Sequence, residues 1–214
     1  MKLLKTLLVL SLVFGISLNV FANDEQNASS KTQAASEKEK KEEYPKFVLK
    51  DIDGKKYEIK AVKWGLTFPS LKDKKAVAVL MFGEHCPPCL KEIPSLIELK
   101  NKYKKDFEIL ALQVQDGIDK KRLKEFVKEH GINYPVISGR DFMDFIYYFA
   151  SKSGWRGSVP YILLFDKEGH IHFSNMGFTP EEALESAIKD TLGIKETPKE
   201  NNTSAPKIKI DLKK

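Results

Sequence analysis

The chain contains only two cysteines, and both fall in one short string: residues 83–92 read Gly-Glu-His-Cys-Pro-Pro-Cys-Leu-Lys-Glu. An apolar run, residues 76–82, precedes that string and reads as a buried strand. Leu90, Ile93, Ile97 and Tyr103 follow it at helical spacing. Cys86 and Cys89 are therefore expected at a strand-to-helix turn, where free backbone N–H groups and the positive end of the helix dipole stabilise an anion. The thiolate is the reactive form of cysteine, so this position favours its chemistry. Cys86 is expected at or just before the first helical residue, with Cys89 one turn behind it on the same face. Pro87 suits the first turn, where its missing N–H costs nothing. Cys86 is assigned as nucleophile and Cys89 as resolving thiol.

Two other uses of the pair need weighing. A structural disulfide across so short a loop removes little unfolded-state entropy, and a chain of this length buries a core without one. A zinc or copper site is short of ligands, with only Cys86, Cys89 and His85 at hand. Redox exchange is the use that fits a C-x-x-C at a strand–helix junction.

Residues 1–22 carry Lys2 and Lys5, then an apolar stretch, then Val20-Phe21-Ala22 before a polar run. This pattern is a secretory signal, with cleavage expected after Ala22; an uncleaved membrane anchor is the alternative, disfavoured by the short apolar core. Without Lys2 and Lys5 the formal charge falls from +6 to +4, and no nucleic-acid partner is inferred. Residues 23–44 are polar without apolar periodicity and read as a disordered tether. Residues 195–214 read as a lysine-rich disordered tail, and residues 45–194 as one domain. An exported, periplasmic protein would let a cysteine pair cycle.

Within the domain, Phe47-Val48-Leu49 and Tyr57-Glu58-Ile59 flank Asp53-Gly54 and predict a hairpin. Residues 61–75 read as a loop with one helical turn. Residues 107–114 form the next core strand, and Asp119 caps a helix that carries Leu123, Phe126, Val127 and His130 and ends at Gly131. A strand around residues 134–137 and a helix over 141–150 follow. Residues 161–165 and 170–175 form a second hairpin, and Thr179-Pro180-Glu181-Glu182 reads as a capping box opening the last helix. Pro94 interrupts the hydrogen-bond ladder of the cysteine helix and predicts a kink. The order is α/β, a mixed central sheet with helices on both faces and an added N-terminal β-hairpin.

On these residues the chain resembles the thioredoxin fold. More narrowly, it resembles the exported TlpA/ResA-type thiol-disulfide oxidoreductases over nearly the whole domain. The narrower likeness rests on the Leu49-to-Lys55 hairpin string, on Cys89-Leu90-Lys91-Glu92-Ile93-Pro94, and on Val159-Pro160 followed by Leu163-Leu164-Phe165-Asp166 and Gly169. The resemblance implies a cis Val159-Pro160 bond facing the cysteines, with Val159 pairing to substrate; read alone, Pro160 is an ordinary trans proline opening a strand. It also implies a modulating role for Glu92, which otherwise reads as a solvated helix residue. The chain departs from the family in two places. His85 stands where many relatives carry an aromatic residue, usually Trp. Leu80 stands where ordinary thioredoxins keep a buried aspartate. A protonated His85 would favour the Cys86 thiolate, whereas an exposed imidazole would do nothing. Trp155, in the loop before Pro160, is expected to border the substrate groove or to pack as core. His170 and His172 share a strand face and are candidate metal ligands, with plain surface positions preferred.

The expected activity is thiol-disulfide exchange on protein disulfides by a monomer, with no cofactor beyond the Cys86–Cys89 disulfide and no metal. The resemblance implies a reductant, apocytochrome c cysteines among its targets, recharged by a membrane electron donor of the DsbD/CcdA type. A disulfide-forming oxidant, or a non-catalytic metal- or client-binding module, are the alternatives.

Overall fold

The computed structural model describes residues 43–195. The expected signal, nearly all of the tether and all but the first residue of the tail lie outside the described residues.

The chain opens with β1 (Lys46–Lys50), β2 (Lys56–Val62) and β3 (Gly65–Thr67), an antiparallel sheet in that order. Its first turn is the expected one: Gly54 takes a left-handed φ of 95°, and Asp51 Oδ1 accepts from the N–H groups of Asp53 and Lys55. Part of the segment read as a loop is regular. Residues 61–62 extend β2, β3 pairs back onto it, and Pro69–Leu71 form the expected single helical turn. Leu66 is buried while its neighbours are half-exposed, and a three-residue alternation is too short to separate from a loop by pattern.

The second sheet has five strands, with β4 (Ala76–Phe82) at its centre. On one side β4 runs parallel to β5 (Phe107–Gln113), which runs parallel to β6 (Val136–Ser138). On the other it is antiparallel to β7 (Tyr161–Asp166), which pairs antiparallel with β8 (Ile171–Met176). Every residue of β4 is buried, because both faces are covered. Ala76, Ala78, Leu80 and Phe82 face α1 (Pro87–Lys102), α2 (Lys120–Glu129) and α4 (Glu181–Leu192). Val77, Val79 and Met81 face α3 (Met143–Ser153) and the first sheet.

Two helices differ from expectation at their ends. Helix α3 begins after a 3-10 turn over Gly139–Phe142 and runs to Ser153. Helix α4 has Pro180, not Thr179, at its N-cap, and no side chain caps it; Thr179 is buried and engaged elsewhere. Helix α1 continues through Pro94 as one element.

The first sheet meets the β7–β8 turn at very close range. A Cβ on Gly65 would stand 2.4 Å from the Gly169 carbonyl oxygen, a backbone atom that cannot swing aside. Gly65→Ala is therefore expected to lower the unfolding free energy by about 2 kcal/mol, measured by urea denaturation.

Candidate active site

Strand β4 ends at Phe82, and the chain turns through Gly83, Glu84 and His85 to Cys86, the N-cap of α1. Cys86 has extended backbone angles, and its sulfur accepts a hydrogen bond from the Cys89 N–H at 3.3 Å. A capping sulfur thus takes the place that a serine or aspartate oxygen holds in other helices. The two cysteines form a disulfide with Cα atoms 5.2 Å apart. Both are buried, while His85 and Pro87 beside them are exposed. Leu80 packs in the same cluster as both cysteines, so the floor is apolar at that position.

Across from the pair stands the loop before β7. The Val159–Pro160 bond is cis, and the Val159 carbonyl oxygen lies 3.6 Å from Cys86 Sγ. The Pro160 carbonyl accepts from Gly177 N–H at 2.8 Å, tying this loop to the end of β8. Trp155 is buried against Phe149, and its indole N–H donates to the Ser158 carbonyl at 2.6 Å. Of its two expected placements, the structure therefore puts Trp155 in the core and not on the groove surface, where it braces the residue next to Val159.

Glu92 is buried on α1. Thr179 donates to its carboxylate from both its backbone N–H and its hydroxyl, which is why Thr179 does not cap α4. Burial pushes the Glu92 carboxyl up to about 7, and the Thr179 bonds offset only part of that rise. Tyr134 is buried as well, and its phenol is pushed upward by burial and then by the charge of Glu92.

Three further residues hold the turn, and none was singled out from sequence. Gln115 Oε1 accepts from the His85 backbone N–H at 2.8 Å, and a Cβ on Gly83 would meet the Gln115 side chain at 2.2 Å. Glu84 is buried and ion-paired with Arg122 of α2. Glu84 sits inside the cysteine string, but its partner is Arg122, 38 residues on, and sequence spacing carries no sign of it. The imidazoles of His170 and His172 both turn to Asp166 Oδ2, at 3.1 and 2.8 Å. Among the described residues no group of three or more His, Cys, Asp or Glu side chains is arranged to hold a metal.

A thioredoxin fold carrying an N-capping cysteine pair beneath a cis-proline loop defines a dithiol–disulfide centre. The comparisons agree: the AhpC/TSA family model matches residues 41–174, and the chain belongs to that family, with the ResA-type thiol-disulfide oxidoreductases as its relatives. It is 34% identical over 148 residues to thiol-disulfide oxidoreductase ResA of Bacillus thuringiensis (strain Al Hakam), covering 69% of this chain and 75% of that one. To ResA of Geobacillus thermodenitrificans (strain NG80-2) it is 26% identical over 189 residues, 87% of this chain and 93% of that one. Among solved structures, a thiol:disulfide interchange protein of the thioredoxin family from Chlorobium tepidum TLS superposes with a TM-score of 0.54 at 23% identity, over 70% of this chain and 94% of that one. This protein is a thiol-disulfide oxidoreductase of the TlpA/ResA type.

Because burial raises the Glu92 carboxyl, the folded state holds a proton there that the unfolded chain has already released above about pH 4.5. This group's contribution to stability is full below that pH and is lost as the pH rises toward 7. Denaturation midpoints are expected to fall across that window in the wild type, and Glu92→Gln is expected to remove this component.

Proposed function

We propose that the protein is exported and works, as a monomer, as a reductant of protein disulfides. The observation that carries the exchange chemistry is the place of Cys86 Sγ: at the N-cap of α1 and 3.6 Å from the Val159 carbonyl. The helix terminus stabilises a thiolate there, and the backbone of Val159, beside Cys86, suits a substrate strand lying alongside with its cysteine directed at Cys86. The leader pattern of residues 1–22 supports export. Among the described residues no helix is long and apolar enough to cross a membrane.

In the reducing direction, the Cys86 thiolate attacks one sulfur of the substrate disulfide. That S–S bond breaks, a Cys86–substrate disulfide forms, and the departing substrate thiolate takes a proton. Cys89 then gives up its proton and attacks Cys86 Sγ, which expels the second substrate thiol and closes the Cys86–Cys89 bond. Two electrons and two protons pass from the dithiol to the substrate. Glu92, on the helix turn after Cys89 and with a carboxyl that titrates at about 7, suits the part of proton acceptor for Cys89 at neutral pH, directly or through water. The sulfurs carry the electrons themselves. A membrane dithiol donor of the DsbD/CcdA type would return the pair to its reduced form, and apocytochrome c cysteines are a fitting target class.

The test joins variants to a potential. Cys86→Ser is expected to abolish insulin-disulfide reduction, a loss of at least about 100-fold, and Cys89→Ala to accumulate mixed disulfides through Cys86. If the serine variant kept its rate, the exchange assignment would fail. Direction is read from equilibrium with glutathione: a potential near or below about −250 mV fits a reductant, and one near about −120 mV makes the protein a disulfide-forming oxidant.

A further inference from the structure

Glu84 is a buried charge that the exchange steps leave without a task. It stands two positions before Cys86, so the two Cα atoms lie within about 7 Å. Its side chain is 3% exposed. Oε1 accepts from Arg122 Nε, while Oε2 is buried with no hydrogen-bond partner. A buried carboxylate oxygen left unpaired is costly, and its presence calls for a reason.

The countercharge is shared out. Arg122 also donates to Glu129 through Nη1 and Nη2, at 3.1 and 3.3 Å, and Nη1 lies 3.9 Å from Glu125. One guanidinium therefore faces three carboxylates. Of the four lysines of α2, Lys120 pairs with Asp141 at 2.8 Å and Lys124 with Asp53 at 3.6 Å, while Lys121 and Lys128 are the other two. The other titratable groups near the turn are His85, exposed within it, and Glu92 on α1, whose carboxyl adds negative charge as it ionises. Around Arg122 itself three carboxylates meet one positive charge, and of the three only Glu84 is buried. A buried charge is screened less than one in water.

Building on the exchange reading, we infer that Glu84, pinned by Arg122, is a positioning residue that sets the electrostatics of Cys86: a fixed negative charge behind the active-site turn that opposes the thiolate and makes the dithiol a stronger electron donor. Oxidation of the pair removes two electrons and two protons, and its disulfide product is uncharged. A carboxylate that raises the free energy of Cys86 S⁻ leaves the disulfide untouched, so it shifts the balance toward giving electrons to a substrate disulfide. It works against the field of the α1 terminus, which favours the thiolate. The two together bring the nucleophile to an intermediate acidity.

The experiment is a thiolate titration of Cys86 by absorbance at 240 nm, with a glutathione equilibrium at about pH 8, close to the pKa of a free thiol, on the purified wild type and Glu84→Gln. In the variant, the thiolate-to-thiol ratio at a fixed pH is expected to rise at least about threefold. The equilibrium is expected to shift toward the reduced dithiol by a smaller factor, about twofold at a pH near the thiol pKa, which is about 9 mV in the oxidising direction at 29.6 mV per decade. An unchanged or lower ratio in a folded variant overturns the inference. Should Glu84→Gln not fold, Glu129→Gln decides: removing this exposed competitor returns Arg122 to Glu84, so a smaller rise in the thiolate ratio is expected, and no change overturns the inference. Failure of the exchange reading would show separately, as a wild type that does not reduce insulin, because the titration needs no substrate.

Discussion

The arrangement depends on the burial of β4 on both faces. Ala76, Ala78, Leu80 and Phe82 pack under α1, α2 and α4, while Val77, Val79 and Met81 pack under α3 and the first sheet. A central strand clamped this way has one place to leave the core, its C-terminal end, and there the chain must turn straight into α1. The cysteines occupy that exit. Their reactivity comes from a helix end held against the sheet by Ile93, Leu96 and Leu99, all buried. Their partner loop is placed by the same sheet, since β7 pairs antiparallel with β4 and brings Val159–Pro160 to the same end.

Two carboxylates stand near the pair under different conditions. Glu92 is buried against Thr179, and burial keeps its proton toward neutral pH. Glu84 sits against a guanidinium that it shares with Glu125 and Glu129. One group suits moving a proton and the other suits holding a charge, a division set by what each side chain packs against.

Much of this was readable along the chain. The order of strands and helices followed from short apolar runs and runs at helical spacing, and the Asp53-Gly54 turn and the Asp119 cap followed from local chemistry. The readings that went astray share a cause. Thr179-Pro180-Glu181-Glu182 has the composition of a capping box, but Glu92, far away in sequence, takes the threonine's N–H and hydroxyl. Residues 61–75 look irregular, but pairing with β2 makes Gly65–Thr67 a strand. In each case a distant partner outweighed a local preference.

The sequence by itself determined the cysteine spacing, the strand-then-helix context that puts Cys86 at the N-cap of α1, and the class of chemistry, because these depend on residues within one or two turns of each other. Only the tertiary structure decided what faces the pair and what tunes it: the Val159 carbonyl beside Cys86, Thr179 on Glu92, Gln115 on the His85 N–H, and Arg122 on Glu84. Those contacts join residues far apart along the chain. Their strength comes from burial, which raises the cost of an unmatched charge and so lets the packed surroundings, more than the residue type, set how Glu92 titrates.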